Sequence, residues 1–317
     1  MTTEIGELLT PAETYGGSTK GSWRSIDWAL HEHQISVAGR VLNYIDIGRG
    51  APILLLHGHG SSWQYWLEII TSLAPHRRVI VPDLPGFGAS QPYPLATVSI
   101  PHLVARLIEL LDRLGISECD LAGHSMGSIV GLEIAAAHPD RVRTLTLAGG
   151  PATSIMALFQ HPVRSVRRQP RLALAVLSDM ITAGLPLPRR LLLAVARYRW
   201  LRRLAFNSYV ARPADLPADT AAELVKGVGA PAYFHIPLKA RRYQPAAFEA
   251  VDCPVMVVNG DVDAFVPRRD ADSFFARMPH AQRYTLAGAG HLVTVEYPQT
   301  FTRLLTDFTT HHRAAAP

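Results

Sequence analysis

The feature that most limits what this chain can fold into is its alternation of short β-type runs with longer helical segments. Pro52–Leu56 is a wholly apolar run that ends in His57-Gly58-His59-Gly60, as expected of a strand buried on both faces. Trp63–Leu73 has helical spacing, and Val79–Pro82 reads as the next strand, ending at Asp83-Leu84-Pro85-Gly86. Ile100–Leu114 is an amphipathic helix closed by Gly115. Cys119–Ala122 is a strand, Met126–Ala137 a helix stopped near Pro139, and Val142–Ala148 a strand. The alternation returns at Pro254–Asn259, Arg268–Met278, Ala281–Leu286 and Pro298–His312. Strands joined by helices call for a mostly parallel sheet covered on both sides. A hairpin across Ala38-Gly39, built from His33–Val37 and Val41–Ile47, precedes it. Residues 1–30 are polar, rich in Gly and Ser around Tyr15–Ser22, and read as a loose arm.

Between Pro151 and Ala250 the pattern changes. Leu172–Ala183, Arg189–Phe206 and Asp219–Gly227 read as helices broken by prolines, with no convincing strand. Charge marks the same stretch: it holds 15 Lys+Arg against 5 Asp+Glu, whereas the rest of the chain holds 16 against 21. The spacing predicts an all-helical cap or lid, 151–250, inserted into an α/β core of 31–150 and 251–317. Arg189–Phe206 mixes Leu192, Val195, Trp200 and Leu201 with Arg190, Arg197, Arg199, Arg202 and Arg203, giving a helix with one dry and one wet face. The plain reading is a solvated basic rim. The sharper one is attraction to an anionic substrate or to an anionic membrane surface. Nucleic acid is not expected, because the basic stretch contains no recognisable binding module.

The chain's 317 residues suit two units, or one large core with an insertion. Cys119 and Cys253 are its only cysteines, so no disulfide framework is indicated and a reduced, cytoplasmic setting fits. The first thirty residues carry Glu4, Glu7 and Glu13 and no apolar run of signal-peptide length. No stretch of about 18 apolar residues predicts a membrane span.

The sharpest chemical signal is Gly123-His124-Ser125-Met126-Gly127, between a strand and a helix. A turn this tight strains its central residue and leaves no room for Cβ atoms two positions either side. It lifts the Ser125 hydroxyl to a helix N-terminus, where developing negative charge is favoured. A serine hydroxyl needs a base. Of the 14 histidines, His291 follows Gly288-Ala289-Gly290 on a loop before the last helix, at the sheet edge where Ser125 also emerges. The imidazole in turn needs a carboxylate to hold its tautomer. Asn259-Gly260-Asp261-Val262-Asp263 offers two; we take Asp263 as the acid and Asp261 as the alternative, a turn residue if it loses. Two backbone amides must receive the oxyanion. Met126 and His59 are the natural pair, with Gly60 an alternative to His59. Zinc on the paired histidines of His57-Gly58-His59-Gly60 is disfavoured, since no third ligand stands at metal-like spacing.

Together, His57–Trp63, Asp83–Gly88, Gly123–Gly127, Gly260–Asp263 with Pro267, and Gly290-His291 with Glu296 and Pro298 resemble, in order, the motif series of the α/β-hydrolase superfamily. The resemblance runs from about residue 33 to 312 outside the helical insertion. It implies an eight-stranded, mostly parallel sheet, a Ser…Asp…His chain order, a cap over the site and preference for Asp263 over Asp261. Serine at 125 sets the chain apart from the haloalkane dehalogenases and epoxide hydrolases, which carry aspartate there.

The expected activity is hydrolysis of a carboxylic ester, or a related thioester, lactone or C–C bond, in a hydrophobic small molecule, through an acyl-enzyme and without cofactor or metal. Acyl transfer or cofactor-free perhydrolase or lyase chemistry on the same groups is the enzymatic alternative. A ligand receptor keeping the fold is the non-enzymatic one. Neither the substrate nor the oligomeric state is legible.

Overall fold

The computed structural model describes residues 6–17, 22–90, 92–94, 97–151, 153–240, 242–244 and 248–314. Nine strands form one sheet: β1 (Glu7–Leu9), β2 (Glu32–Val37), β3 (Arg40–Ile47), β4 (Pro52–Leu56), β5 (Arg78–Pro82), β6 (Cys119–His124), β7 (Val142–Ala148), β8 (Val255–Gly260) and β9 (Gln282–Leu286). Their order is β1-β9-β8-β7-β6-β4-β5-β3-β2, and every pairing is parallel except those of β3 with β2 and β5. The core helices are α1 (Leu67–Leu73), α2 (Ile100–Arg113) and α3 (Met126–Ala137). After them come seven inserted helices: α4 (Thr153–Gln160), α5 (Pro162–Arg168), α6 (Pro170–Thr182), α7 (Arg189–Arg197), α8 (Arg199–Phe206), α9 (Ala218–Leu224) and α10 (His235–Ala240). The core resumes with α11 (Arg268–Arg277), α12 (Val293–Glu296) and α13 (Pro298–Ala314).

Alternate residues of one strand feed opposite cores, which is why β4 is apolar throughout. Leu54 and Leu56 of β4 pack into a core closed by α2, α3 and α11. Ile53 and Leu55 point the other way, into a core closed by α1, α12 and α13. With both faces covered, β4 is buried from Ile53 to Leu56 and β6 at all six residues.

The sheet has one strand more than the resemblance implies. Glu7–Leu9 pairs with β9, and the Ala287 N–H donates to the Leu9 carbonyl at 2.9 Å. Three residues are too few to display alternation, so the strand was invisible in the sequence. Within the expected arm of residues 1–30, the segment 6–17 is anchored rather than loose. Tyr15 Oη donates to Glu296 at 2.8 Å, and the Glu13 carboxylate accepts from the Gln299 and Thr300 N–H groups at 2.9 and 2.6 Å, capping α13. Residues 1–5 and 18–21 of the expected arm lie outside the described residues.

Between β7 and β8 the described residues form helices and no strand. The single helix expected over Arg189–Phe206 is two, broken at Tyr198, whose backbone is extended (φ −95°, ψ 122°). No proline or glycine causes the break. Arg202, placed by the sequence on a wet face, is instead buried. Its guanidinium donates to the Ala196, Arg197 and Ala214 carbonyls at 2.5, 3.1 and 3.3 Å. A cation on those carbonyls stabilises the end of α7 and holds α8 against it.

Candidate active site

Ser125 lies between β6 and α3 with φ 52° and ψ −113°, a conformation that costs a non-glycine residue about 1–3 kcal/mol. The flanking glycines make it attainable. A Cβ at Gly123 would sit 2.2 Å from the Gly127 carbonyl oxygen, and one at Gly127 would sit 2.3 Å from that of Leu56. The Ser125 N–H donates to the Ala148 carbonyl at 3.0 Å, fixing the turn to β7.

His291 Nδ1 donates to Asp263 Oδ2 at 2.9 Å, and both side chains are buried. Asp263 Oδ1 accepts from the Phe265 and Val266 N–H groups at 2.7 and 3.1 Å, so the carboxylate is held at both oxygens. An ionised carboxylate only accepts, which places the His291 proton on Nδ1 and leaves Nε2 with a free lone pair. Asp261 is elsewhere: its Oδ1 accepts from the Gly288 N–H at 2.8 Å in an exposed turn. The loops carrying Asp263 and His291 touch because Gly260 lacks a side chain, and Gly290 in turn lets the His291 loop approach the Tyr209–Ala211 backbone. A Cβ on Gly260 would lie 2.1 Å from the Ala289 oxygen.

The His291 backbone is fixed from three directions. Its N–H donates to the Tyr209 carbonyl at 2.7 Å, and its own carbonyl accepts from His124 Nε2 at 3.1 Å. The neighbouring Gly290 N–H donates to the buried Glu296 carboxylate at 2.9 Å, which also accepts from the Ala211 N–H at 2.8 Å. Burial, with His291 close by, pushes the His124 imidazole well down, so it is a neutral prop carrying its proton on Nε2. The sequence offered His124 only as a neighbour of the serine.

Ser125 and His291 face one cavity of about 420 Å³, walled by the sheet edge and the helical insertion. Met126 and His59 line it too, and among the described residues neither backbone N–H has a hydrogen-bond acceptor. Gly58 brings the His59 loop against the serine: a Cβ there would lie 3.2 Å from Ser125 Cβ. Gly60, the alternative donor, turns the loop at φ 66°. The paired histidines are engaged with the protein. Burial pushes His57 down to about 4; its Nδ1 donates to the Gly58 carbonyl at 2.8 Å, and its Nε2 accepts from the Leu84 N–H at 2.9 Å. Asp83 ties the same turns together by accepting from the Trp63 and Ala89 N–H groups, both at 2.8 Å.

A second polar group on the cavity wall was not foreseen. Asp179 of α6 accepts from Tyr209 Oη at 2.5 Å and from Tyr233 Oη, and its Oδ2 lies 3.8 Å from His59 Nδ1. His59 Nε2 donates to the Tyr233 carbonyl at 2.7 Å, with the two rings 4.0 Å apart. Burial alone would raise the Asp179 carboxyl, but the His59 ring and the two tyrosine hydroxyls outweigh it and hold it below the usual range. Asp179, Tyr209 and Tyr233 are widely spaced in the chain. The available signal was one acid inside an otherwise apolar helix.

A model of the α/β-hydrolase fold matches residues 51–298, most of the chain. The chain belongs to the α/β-hydrolase family. This α/β-hydrolase is 28% identical over 297 residues to a 2-hydroxymuconate semialdehyde hydrolase of Pseudomonas sp. (strain CF600), covering 89% of this chain and 95% of that one. It is 27% identical over 271 residues to a pimeloyl-[acyl-carrier protein] methyl ester esterase of Aeromonas hydrophila, covering 82% and 96%. Its fold matches a thermophilic esterase from Thermogutta terrifontis with a TM-score of 0.65 at 22% identity, over 89% of this chain and 98% of that one. The α/β-hydrolase is therefore a hydrolase by family.

Proposed function

We propose that this hydrolase cleaves the carboxylic ester of an uncharged, hydrophobic small molecule through an acyl-enzyme on Ser125, beneath a cap formed by α4–α10. In this reading His291 Nε2 removes the Ser125 proton as Oγ attacks the ester carbonyl. Asp263 stabilises the imidazolium, and the amides of Met126 and His59 receive the oxyanion. The alcohol leaves with the proton from His291. Water, deprotonated by the same nitrogen, then attacks the acyl-serine and releases the acid. One oxyanion donor is typically worth about 10²–10³ in rate, so the free amides at Met126 and His59 are substantial support.

The observation that carries the substrate class is the cavity lining. Its walls are Leu, Ile, Val, Met and aromatic side chains, and among the described residues no Lys or Arg reaches it. Asp179 is the one carboxylate there, and it is held ionised. A carboxylate-bearing substrate would meet the Asp179 charge and no Lys or Arg, at a cost of several kcal/mol. That disfavours carbon–carbon cleavage of a compound like 2-hydroxymuconate semialdehyde, whose name denotes a carboxylate, despite the 28% identity. It favours a neutral ester, the bond class named for the methyl ester esterase.

A panel of neutral esters, thioesters, lactones and dienoate diketones tests this reading. Neutral esters of medium acyl length should give the highest kcat/KM, with free acid and alcohol as products. Preference for the dienoate would refute the substrate class. Products formed only with peroxide or a second alcohol would mean perhydrolysis or acyl transfer instead.

A further inference from the structure

The cap's outer surface is apolar where a soluble protein is ordinarily polar. Among the described residues, every exposed large apolar side chain except Leu8, Leu30 and Val262 lies in 151–250. On α6, Leu174, Leu177 and Ile181 are 68%, 54% and 55% exposed at i, i+3 and i+7, one stripe on one face. On α8, Trp200 and Leu204 are 62% and 67% exposed. The stripe is continuous with the cavity: Ile181, Leu185, Leu191 and Leu204 are exposed and also line it, so they form its rim. Apolar surface of this extent marks an interaction site.

Charge says what the partner is. Arg202 is buried and Arg199 pairs with Asp215, but Arg164, Arg167, Arg168, Arg171, Arg189 and Arg190 are exposed without an ion pair to any described residue. Across 151–250 there are 15 basic against 5 acidic residues. Two copies meeting cap to cap would bring these cations together, which opposes self-association. An anionic lipid surface neutralises them and accepts Leu, Ile and Trp side chains between its headgroups.

We propose that the cap docks on anionic bilayers, with the stripe of α6 and the tips of α7 and α8 immersed and the arginines at headgroup level, so that the cavity rim opens onto the lipid. The enzyme would then take its hydrophobic substrate from the membrane rather than from water. No helix among the described residues is long and apolar enough to cross a bilayer, so the contact is peripheral.

Flotation of the full chain with phosphatidylglycerol/phosphatidylcholine vesicles, and with pure phosphatidylcholine vesicles, tests the proposal. Binding to the anionic vesicles at about 50 mM salt should exceed binding to the neutral ones at least tenfold, and should fall at least tenfold at about 500 mM, where charge is screened. Leu177→Glu with Trp200→Glu, two exposed positions outside the cavity lining, should abolish flotation while leaving folding and turnover of a short, water-soluble ester unchanged. Arg189→Glu with Arg190→Glu should weaken it. Ser125→Ala should float like the wild type, so the result does not depend on the ester-hydrolase reading. No flotation on anionic vesicles at low salt, or flotation indifferent to these substitutions, would overturn the proposal. So would a concentration-dependent dimer that Leu177→Glu dissolves in a protein that does not float. Exclusive capture by an acidic protein would overturn it too.

Discussion

Replacing Asp263 by Asn isolates the orienting role of its carboxylate. The amide oxygen can still accept from the Phe265 and Val266 N–H groups, which lie 2.7 and 3.1 Å from Oδ1, so the turn survives. Its NH₂ then takes the place of Oδ2, 2.9 Å from His291 Nδ1. Two donors face each other, and the imidazole relieves the conflict by moving its proton to Nε2. That nitrogen can no longer accept from Ser125. Loss of the correct tautomer costs a Ser–His–Asp system about 10⁴ in kcat, or about 5.5 kcal/mol of transition-state stabilisation. Asp261→Asn changes only an exposed turn bonded to Gly288 and should stay within about twofold of wild type. The assay is steady-state hydrolysis of a neutral chromogenic ester near pH 8, with far-UV circular dichroism to confirm folding. Near-normal turnover in Asp263→Asn, with collapse in Asp261→Asn, would refute the assignment.

Gly290→Ala would push a Cβ to 2.8 Å from the Tyr209 oxygen and 2.9 Å from Val210 Cα. Thermal melts should show a loss of about 1–3 kcal/mol, with activity falling further because the His291 loop must shift. Asp179→Asn should cost about 1–2 kcal/mol in the same assay. The folded-state pKa of Asp179 is depressed, so its contribution is present above the unfolded value of 3.8 and lost as pH falls through the still lower folded one. The gap between wild type and variant should therefore narrow below about pH 4. Asp83 behaves oppositely. Burial raises it from 3.8 to about 6, so its contribution is greatest at low pH and declines as pH rises through that window. Denaturant titrations should show a larger wild-type advantage over Asp83→Asn at about pH 4.5 than at about pH 7.5, and a reversed order would contradict the account.

Much of this architecture was legible because its signals are local. The run Pro52–Leu56 needs burial on both faces, and Gly123–Gly127 needs two absent side chains; both needs are written in adjacent residues. Asp263 could be separated from Asp261 only by family resemblance, since both sit in one turn and the choice depends on which carboxylate reaches a histidine 28 residues later. The break at Tyr198 was illegible because no proline or glycine marks it, and the Arg202 contact with the Ala196 carbonyl that accompanies it depends on the fold. The Asp179–Tyr209–Tyr233 group likewise depends on how the inserted helices stack, which no periodicity records. Edge strand β1 was lost through brevity alone.

The central claim is that the Ser125 hydroxyl is the nucleophile. Intact-mass and peptide-mass spectrometry after treatment with a fluorophosphonate tests it most directly. The account predicts a single adduct on the peptide bearing Ser125, no adduct in Ser125→Ala, and labelling slowed by about 10³-fold in His291→Ala. A folded wild-type protein that stays unmodified, or an adduct mapping to another residue, would contradict it.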